Sequence, residues 1–194
     1  MASAAAKTGE ARGRTRQTDR QHLPQLSLHT PVGDLTVSED DGAIVAVDWG
    51  WGRDQTETPL LLRARKALHE YFDGTRLEFD LPLAPAGTPF RQRVWDALRR
   101  IPPGQTRSYA DIARAVGGSP RAVGGANAAN PIPILIPCHR VIAVNGIGGY
   151  SGGEGLKTKR FLLALELRAS QAAEQRVAAP QDAPPSLNST MGHP

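Results

Sequence analysis

The chain has 194 residues, 40% of them hydrophobic, which is enough for one large domain or two small ones with a sizeable core. A formal net charge of +4 permits contact with nucleic acid without requiring it, and the single cysteine excludes an intramolecular disulfide or a zinc site built from several thiolates. No apolar run approaches the ~20 residues needed to cross a bilayer, and the N-terminus lacks the apolar stretch of a signal peptide.

Residues 1–24 read as a disordered basic tail, in which Lys7, Arg12, Arg14, Arg16 and Arg20 are relieved only by Glu10 and Asp19. Leu26 and Leu28 then alternate with polar neighbours, and Pro31 to Asp34 supplies a turn. Leu35 and Val37 alternate again, Asp40 to Gly42 turns, and Ala43 to Trp49 is an apolar run. That pattern predicts an antiparallel meander. Leu60 to Phe72 predicts a helix whose stripe is Leu61, Ala64, Ala67, Leu68, Tyr71 and Phe72, with Gly74 closing it. Nothing in this first unit, 25–81, carries obvious chemistry. The proline-rich stretch 82–87 reads as a linker.

A second unit, 88–168, has a different texture. Thr88 and Pro89 can start a helix over Phe90 to Arg100, which Pro102-Pro103-Gly104 breaks. Ser108 can cap a second helix, Tyr109 to Val116, and Ser119-Pro120 a third, Arg121 to Ala129. The last two form a helix-turn-helix candidate, a pair that serves either core packing or DNA reading. The third helix is slim: Ala122, Gly124, Gly125, Ala126, Ala128 and Ala129 are all small. Two adjacent glycines cost a helix roughly 1–2 kcal/mol relative to alanine, which close approach of another surface could offset. That surface is either a neighbouring helix or a DNA minor groove. Residues 169–194, ending in a proline-rich stretch, read as a second disordered tail.

The chemistry concentrates between Asn130 and Gly153. The apolar run Ile132 to Ile136, braced by Pro131, Pro133 and Pro137, reads as a buried extended segment delivering Cys138, His139 and Arg140 to a fixed place. A free cysteine is mostly thiol at neutral pH, so a nucleophilic Cys138 needs a base. His139 is adjacent, yet consecutive side chains of an extended chain diverge, which favours a bridging water over direct contact. A bare Cys-His pair also fits a buried structural cysteine beside an unrelated histidine.

IPCHRVI at Ile136 to Ile142, with SPRAVGGANAANP, GGYSGG and LLALE in the same order, resembles the O6-alkylguanine-DNA alkyltransferases, the methylated-DNA–protein-cysteine methyltransferases. The resemblance covers most of Thr88 to Glu166. It implies an α+β fold, with a small ribonuclease H-like sheet-plus-helix domain followed by a mostly helical DNA-binding and alkyl-acceptor domain. It implies that Cys138 accepts an alkyl group from O6-alkylguanine, that His139 activates it through a water, and that Glu166 orients the histidine. Asn130 is implied to brace the turn and Tyr109 to protonate the leaving guanine. Tyr150 and Ser151 are implied to line the base pocket, and Arg121 to fill the space left by a flipped nucleotide. Arg140, Ala122, Gly124 and Gly125 complete the expected DNA-contacting set.

The partner is then double-stranded DNA containing alkylated guanine, bound through the minor groove without sequence specificity. Neither cofactor nor metal is expected. A monomer is expected, cytoplasmic in a bacterium and nuclear in a eukaryote. Two readings compete: a sequence-specific regulator using the helix-turn-helix alone, and a thiol hydrolase that turns over a small ester or amide without DNA.

Overall fold

The computed structural model describes residues 23–178, so the basic stretch 1–22 and the segment 179–194 lie outside it. Strands β1 (Gln25–Leu28), β2 (Leu35–Asp40) and β3 (Ala43–Trp49) form an antiparallel sheet in that order, joined by the two turns read from Pro31 to Asp34 and Asp40 to Gly42. Leu28 pairs with Leu35, Leu26 with Val37, and Val37 with Val47, so one face is apolar throughout. A register shift between Ser38 and Glu39 places Ile44 opposite Glu39, and the buried residues of β3, Ile44 and Val47, are therefore three apart. That bulge is why the β3 sequence does not alternate cleanly.

Helix α1 (Pro59–Phe72) covers this face. The Thr58 side chain accepts from the Leu61 amide and Pro59 occupies the first helical position, where its missing N–H costs nothing. Leu61, Ala64, Leu68 and Tyr71 are fully buried beneath it. Helices α2 (Pro89–Arg99), α3 (Tyr109–Val116) and α4 (Pro120–Ala128) form the second layer, each started by a serine or threonine cap. Ser108 and Asp111 make a reciprocal capping box at α3. The long helix α5 (Leu156–Ala178) lies against the turn at Cys138–Arg140 and bonds to α1 through Glu166 and Tyr71. The fold is α+β, and no helix among the described residues is long and apolar enough to cross a membrane.

The proline-rich 82–87 stretch, read as a linker, is pinned along the β3 edge: the Ile44 amide donates to Pro82 O at 2.8 Å and the Ala84 amide to Ile44 O at 2.9 Å. Two expectations are corrected. The end of the chain is not disordered from 169 onward, because α5 runs on to Ala178. Residues 171–176 are Gln, Ala, Glu and Arg, all good helix formers, and Ser170 packs on Gly104. Finally, Ile132 to Ile136 is a tight turn, not an extended segment. The Ile136 amide donates to Ile132 O at 2.9 Å, and Ile134 sits at φ 73°, a left-handed conformation that a β-branched residue rarely adopts. The prolines deny this stretch the amides of a strand, so burial alone made it look like one.

Candidate active site

Asn130 holds the strained turn together. Its side-chain amide donates to Ile136 O at 2.8 Å, and its carbonyl accepts from the Ile132 amide at 3.0 Å. Pro137 then adopts φ −80° and ψ 65°, an inverse γ-turn in which the Cys138 amide donates to Ile136 O at 2.8 Å. Cys138, His139 and Arg140 follow as a single 3-10 turn and are all buried. From this turn the short strand β5 (Val141–Ile142) pairs in parallel with β4 (Arg107–Ser108), which ends where α3 begins. The pairing carries Tyr109, the first residue of α3, to the cysteine.

His139 is fully buried, and its Nε2 lies 2.7 Å from Glu166 Oε1. Burial works against the charge on Glu166, but His139 and Arg140 together hold its carboxyl well below the usual carboxylate range. An ionised carboxylate only accepts, so Nε2 carries the imidazole proton and Nδ1 presents a lone pair. Nδ1 is buried without a protein partner. Burial also lowers the His139 pKa in spite of Glu166, so the ring is a neutral base. Cys138 moves the other way: burial raises its pKa, outweighing the neighbouring polar side chains of Asn130 and Tyr150 and the nearby charge of Lys159. The resting thiol keeps its proton.

Arg140 is not a DNA contact. Its Nε and Nη2 donate to the two oxygens of Glu166, each at 2.9 Å, and Nη1 donates to Ile101 O at 2.6 Å, so the guanidinium is buried and fully engaged. Its place beside Cys138 and His139 in sequence gave no hint of that direction. Tyr71, from α1, donates to the same Glu166 oxygen as His139, at 2.8 Å. The first unit therefore reaches the buried Glu166 carboxylate, through a residue that read only as core. Lys159 was also missed. It is buried on α5, and its ammonium donates to Val141 O at 2.6 Å and Gly149 O at 3.1 Å, joining β5 to the loop before Tyr150. Burial lowers its pKa to about 8. A lysine in the apolar pattern of a helix is the signal that could have found it. Asn127 supports the turn from α4, donating to Cys138 O at 3.2 Å.

A cleft of about 180 Å³ opens at Cys138, with Tyr150, Ser151, Asn127 and Trp49 among its walls. Ser151 is exposed at its rim, whereas the Tyr150 hydroxyl is buried beside the thiol. Tyr109 is half-buried against Gly148, and burial and the nearby Cys138 raise its pKa, so it holds its proton as a donor. Arg121 and Ala122 stand exposed on the first turn of α4, away from the packed side formed by Val123, Ala126 and Asn127. A Cβ at Gly125 would meet nothing within 4 Å, and one at Gly124 would only touch Tyr109 at 4.0 Å. Packing inside this fold does not demand the glycine pair. Among the described residues, no group of three or more His, Cys, Asp or Glu side chains could hold a metal ion.

Two family models match the chain: the DNA-binding domain of 6-O-methylguanine DNA methyltransferase over residues 89–168, and its ribonuclease-like domain over residues 26–85. The constitutive methylated-DNA–protein-cysteine methyltransferase of Bacillus subtilis is 47% identical over 155 residues, covering 72% of this chain and 93% of that protein. The crystal structure of Mycobacterium tuberculosis O6-methylguanine methyltransferase superposes with a TM-score of 0.68 at 36% identity, covering 83% of this chain and 97% of the other. That of Mycobacterium tuberculosis OGT in complex with DNA gives a TM-score of 0.69 at 39% identity, over 76% of this chain and 94% of the other. With both domain models matched in order around one buried Cys-His-Glu arrangement, the chain belongs to the 6-O-methylguanine DNA methyltransferase family.

Proposed function

We propose that this family member repairs DNA by moving an alkyl group from O6 of guanine to Cys138, and that the observation carrying this reading is the buried Glu166–His139 pair beside the cleft thiol. The thiol proton passes through a bridging water to His139 Nδ1, which is neutral, buried and free to accept. The thiolate sulfur attacks the alkyl carbon, an S–C bond forms, and the C–O6 bond breaks with its electron pair going to the base. Tyr109 supplies a proton to the guanine ring, so the leaving group departs neutral. The proton held by His139 returns through water to Tyr109, which restores both neutral side chains, and the exchange consumes no cofactor. Its product is a thioether, which the His139–Glu166 pair has no means of hydrolysing, so each chain reacts once.

A base stacked in a duplex cannot reach a thiol only 5% exposed, so the nucleotide is flipped out at a cost of a few kcal/mol. The exposed small-residue face of α4 fits a minor groove, and Arg121 at its start fills the vacated stack. Intact-mass spectrometry after incubation with duplex DNA carrying O6-methylguanine tests the reading. One methyl gained per chain, mapped to the Cys138 peptide and abolished in Cys138→Ala, is the expected result. Folded, reduced protein that binds the duplex and gains no mass would exclude it and favour a non-repairing DNA binder.

A further inference from the structure

Trp49 is the last residue of β3, and Gly50 follows it at φ 105°, turning the chain away. Its indole reaches out of the sheet unit into the loop that walls the cleft. A Cβ built on Gly152 would lie 2.7 Å from Trp49 Cζ2 and 2.9 Å from Cε2, and one on Gly153 would lie 3.0 Å from Cζ3. A Cβ at Gly152 could not stand that close to the ring, so the indole occupies the space Gly152 leaves empty and sits tight against Gly153, whose Cβ position is closer still to Thr158 Oγ1, at 2.7 Å. The same residue lines the cleft together with Cys138, Tyr150 and Ser151. The cleft is small, and an indole is among the bulkiest groups a wall could carry.

We infer that Trp49 is a specificity-determining residue: its indole limits the size of the alkyl group that can sit over Cys138 while buttressing the Tyr150–Ser151 loop. This rests on Cys138 being the alkyl acceptor. The position is supplied by the ribonuclease-like part of the chain, so alkyl-group range is set from outside the DNA-binding domain. Removing the ring opens room beside the sulfur and withdraws support from the loop. Bulky groups gain from the first effect, whereas a methyl group feels only the second.

The test uses the full-length protein with duplexes carrying either O6-methylguanine or O6-benzylguanine, with the rate of mass gain at Cys138 read by quenched intact-mass spectrometry. In Trp49→Ala the benzyl-to-methyl rate ratio is expected to rise roughly tenfold or more, the scale on which pocket volume discriminates substrates. Trp49→Phe is expected to fall between Trp49→Ala and the native protein. Should Trp49→Ala fail to fold, Trp49→Leu and Trp49→Phe carry the same ratio. A purely structural role slows both substrates equally, and an unchanged ratio in the folded variants overturns the inference. Failure of the native protein to take up either group would instead remove the acceptor reading itself.

Discussion

The two oxygens of Glu166 accept from His139, from Nε and Nη2 of Arg140, from the Tyr71 hydroxyl and from the Gly104 amide, inside a site closed to solvent. A buried carboxylate is tolerated only when it is paired this fully. Glu166→Gln leaves the Arg140 charge buried without its partner and frees the histidine tautomer. We expect the alkyl-transfer rate to fall by roughly 10²–10⁴-fold, the span over which acid–base groups contribute, in a quenched single-turnover assay. Stability should drop by about 3–5 kcal/mol in urea unfolding at pH 7. The pH dependence has a definite sign. Because the folded-state pKa of Glu166 is depressed, its contribution is full above the unfolded carboxyl value of about 4.3 and is lost as pH falls below it. The stability gap between native protein and Glu166→Gln should therefore narrow from about pH 4 downward; a gap that stays constant into acid would show that the charge is not what matters.

At the scale of the element, α4 presents exposed Arg121, Ala122, Gly125 and Ala128 and buries Val123, Ala126 and Asn127. Its attachment is specific: the Trp95 indole donates to Ala126 O at 2.9 Å, and Asn127 reaches the cysteine turn. With open space around a Gly125 Cβ, alanine there should stabilise the folded chain by about 0.5–1 kcal/mol through helix propensity alone. If DNA lies against this face, Gly125→Leu should stay folded yet bind a modified duplex at least tenfold more weakly by fluorescence anisotropy. Arg121→Ala should slow reaction with duplex DNA more than reaction with free O6-alkylguanine base. Equal loss on both substrates would remove the stack-filling role. The helix pair itself was legible from its caps, Ser108 and Ser119-Pro120, and from the Gly117-Gly118 break. Whether the small face served packing or a partner was not legible, since it depends on what stands opposite.

Over the whole molecule, the seam between sheet and helices is crossed by backbone as well as side chains. The Val47 amide donates to Pro131 O at 2.9 Å, Tyr71 donates to Glu166, and Trp49 packs on Gly152. A single hydrophobic cluster runs from Leu26 to Leu165. Two regions joined in this way unfold together. Thermal unfolding followed by tryptophan fluorescence and by far-ultraviolet circular dichroism should give coincident single transitions. Separated midpoints would mean that the two parts hold themselves up independently.

Sequence by itself determined the elements whose signals are local: the β1–β3 meander from its turns, α1 from its stripe, and the caps of α2 to α4; it also marked Cys138 and His139 as a candidate pair, whose acceptor role came from the resemblance of the surrounding motifs. These depend on neighbours within a few residues, which the linear order supplies. Only the tertiary structure decided the rest. It turned Arg140 inward to Glu166, folded Ile132–Ile136 into a turn around Asn130, brought Tyr71 across from α1, and set Trp49 against the cleft. Arg140, Tyr71 and Trp49 each depend on the direction of a side chain and on a partner tens of residues away, whereas the Asn130 turn is local but carries no periodicity that marks it. Burial makes such residues look alike in sequence, and only the partner's position separates a core tyrosine or arginine from one that holds the reacting group in place.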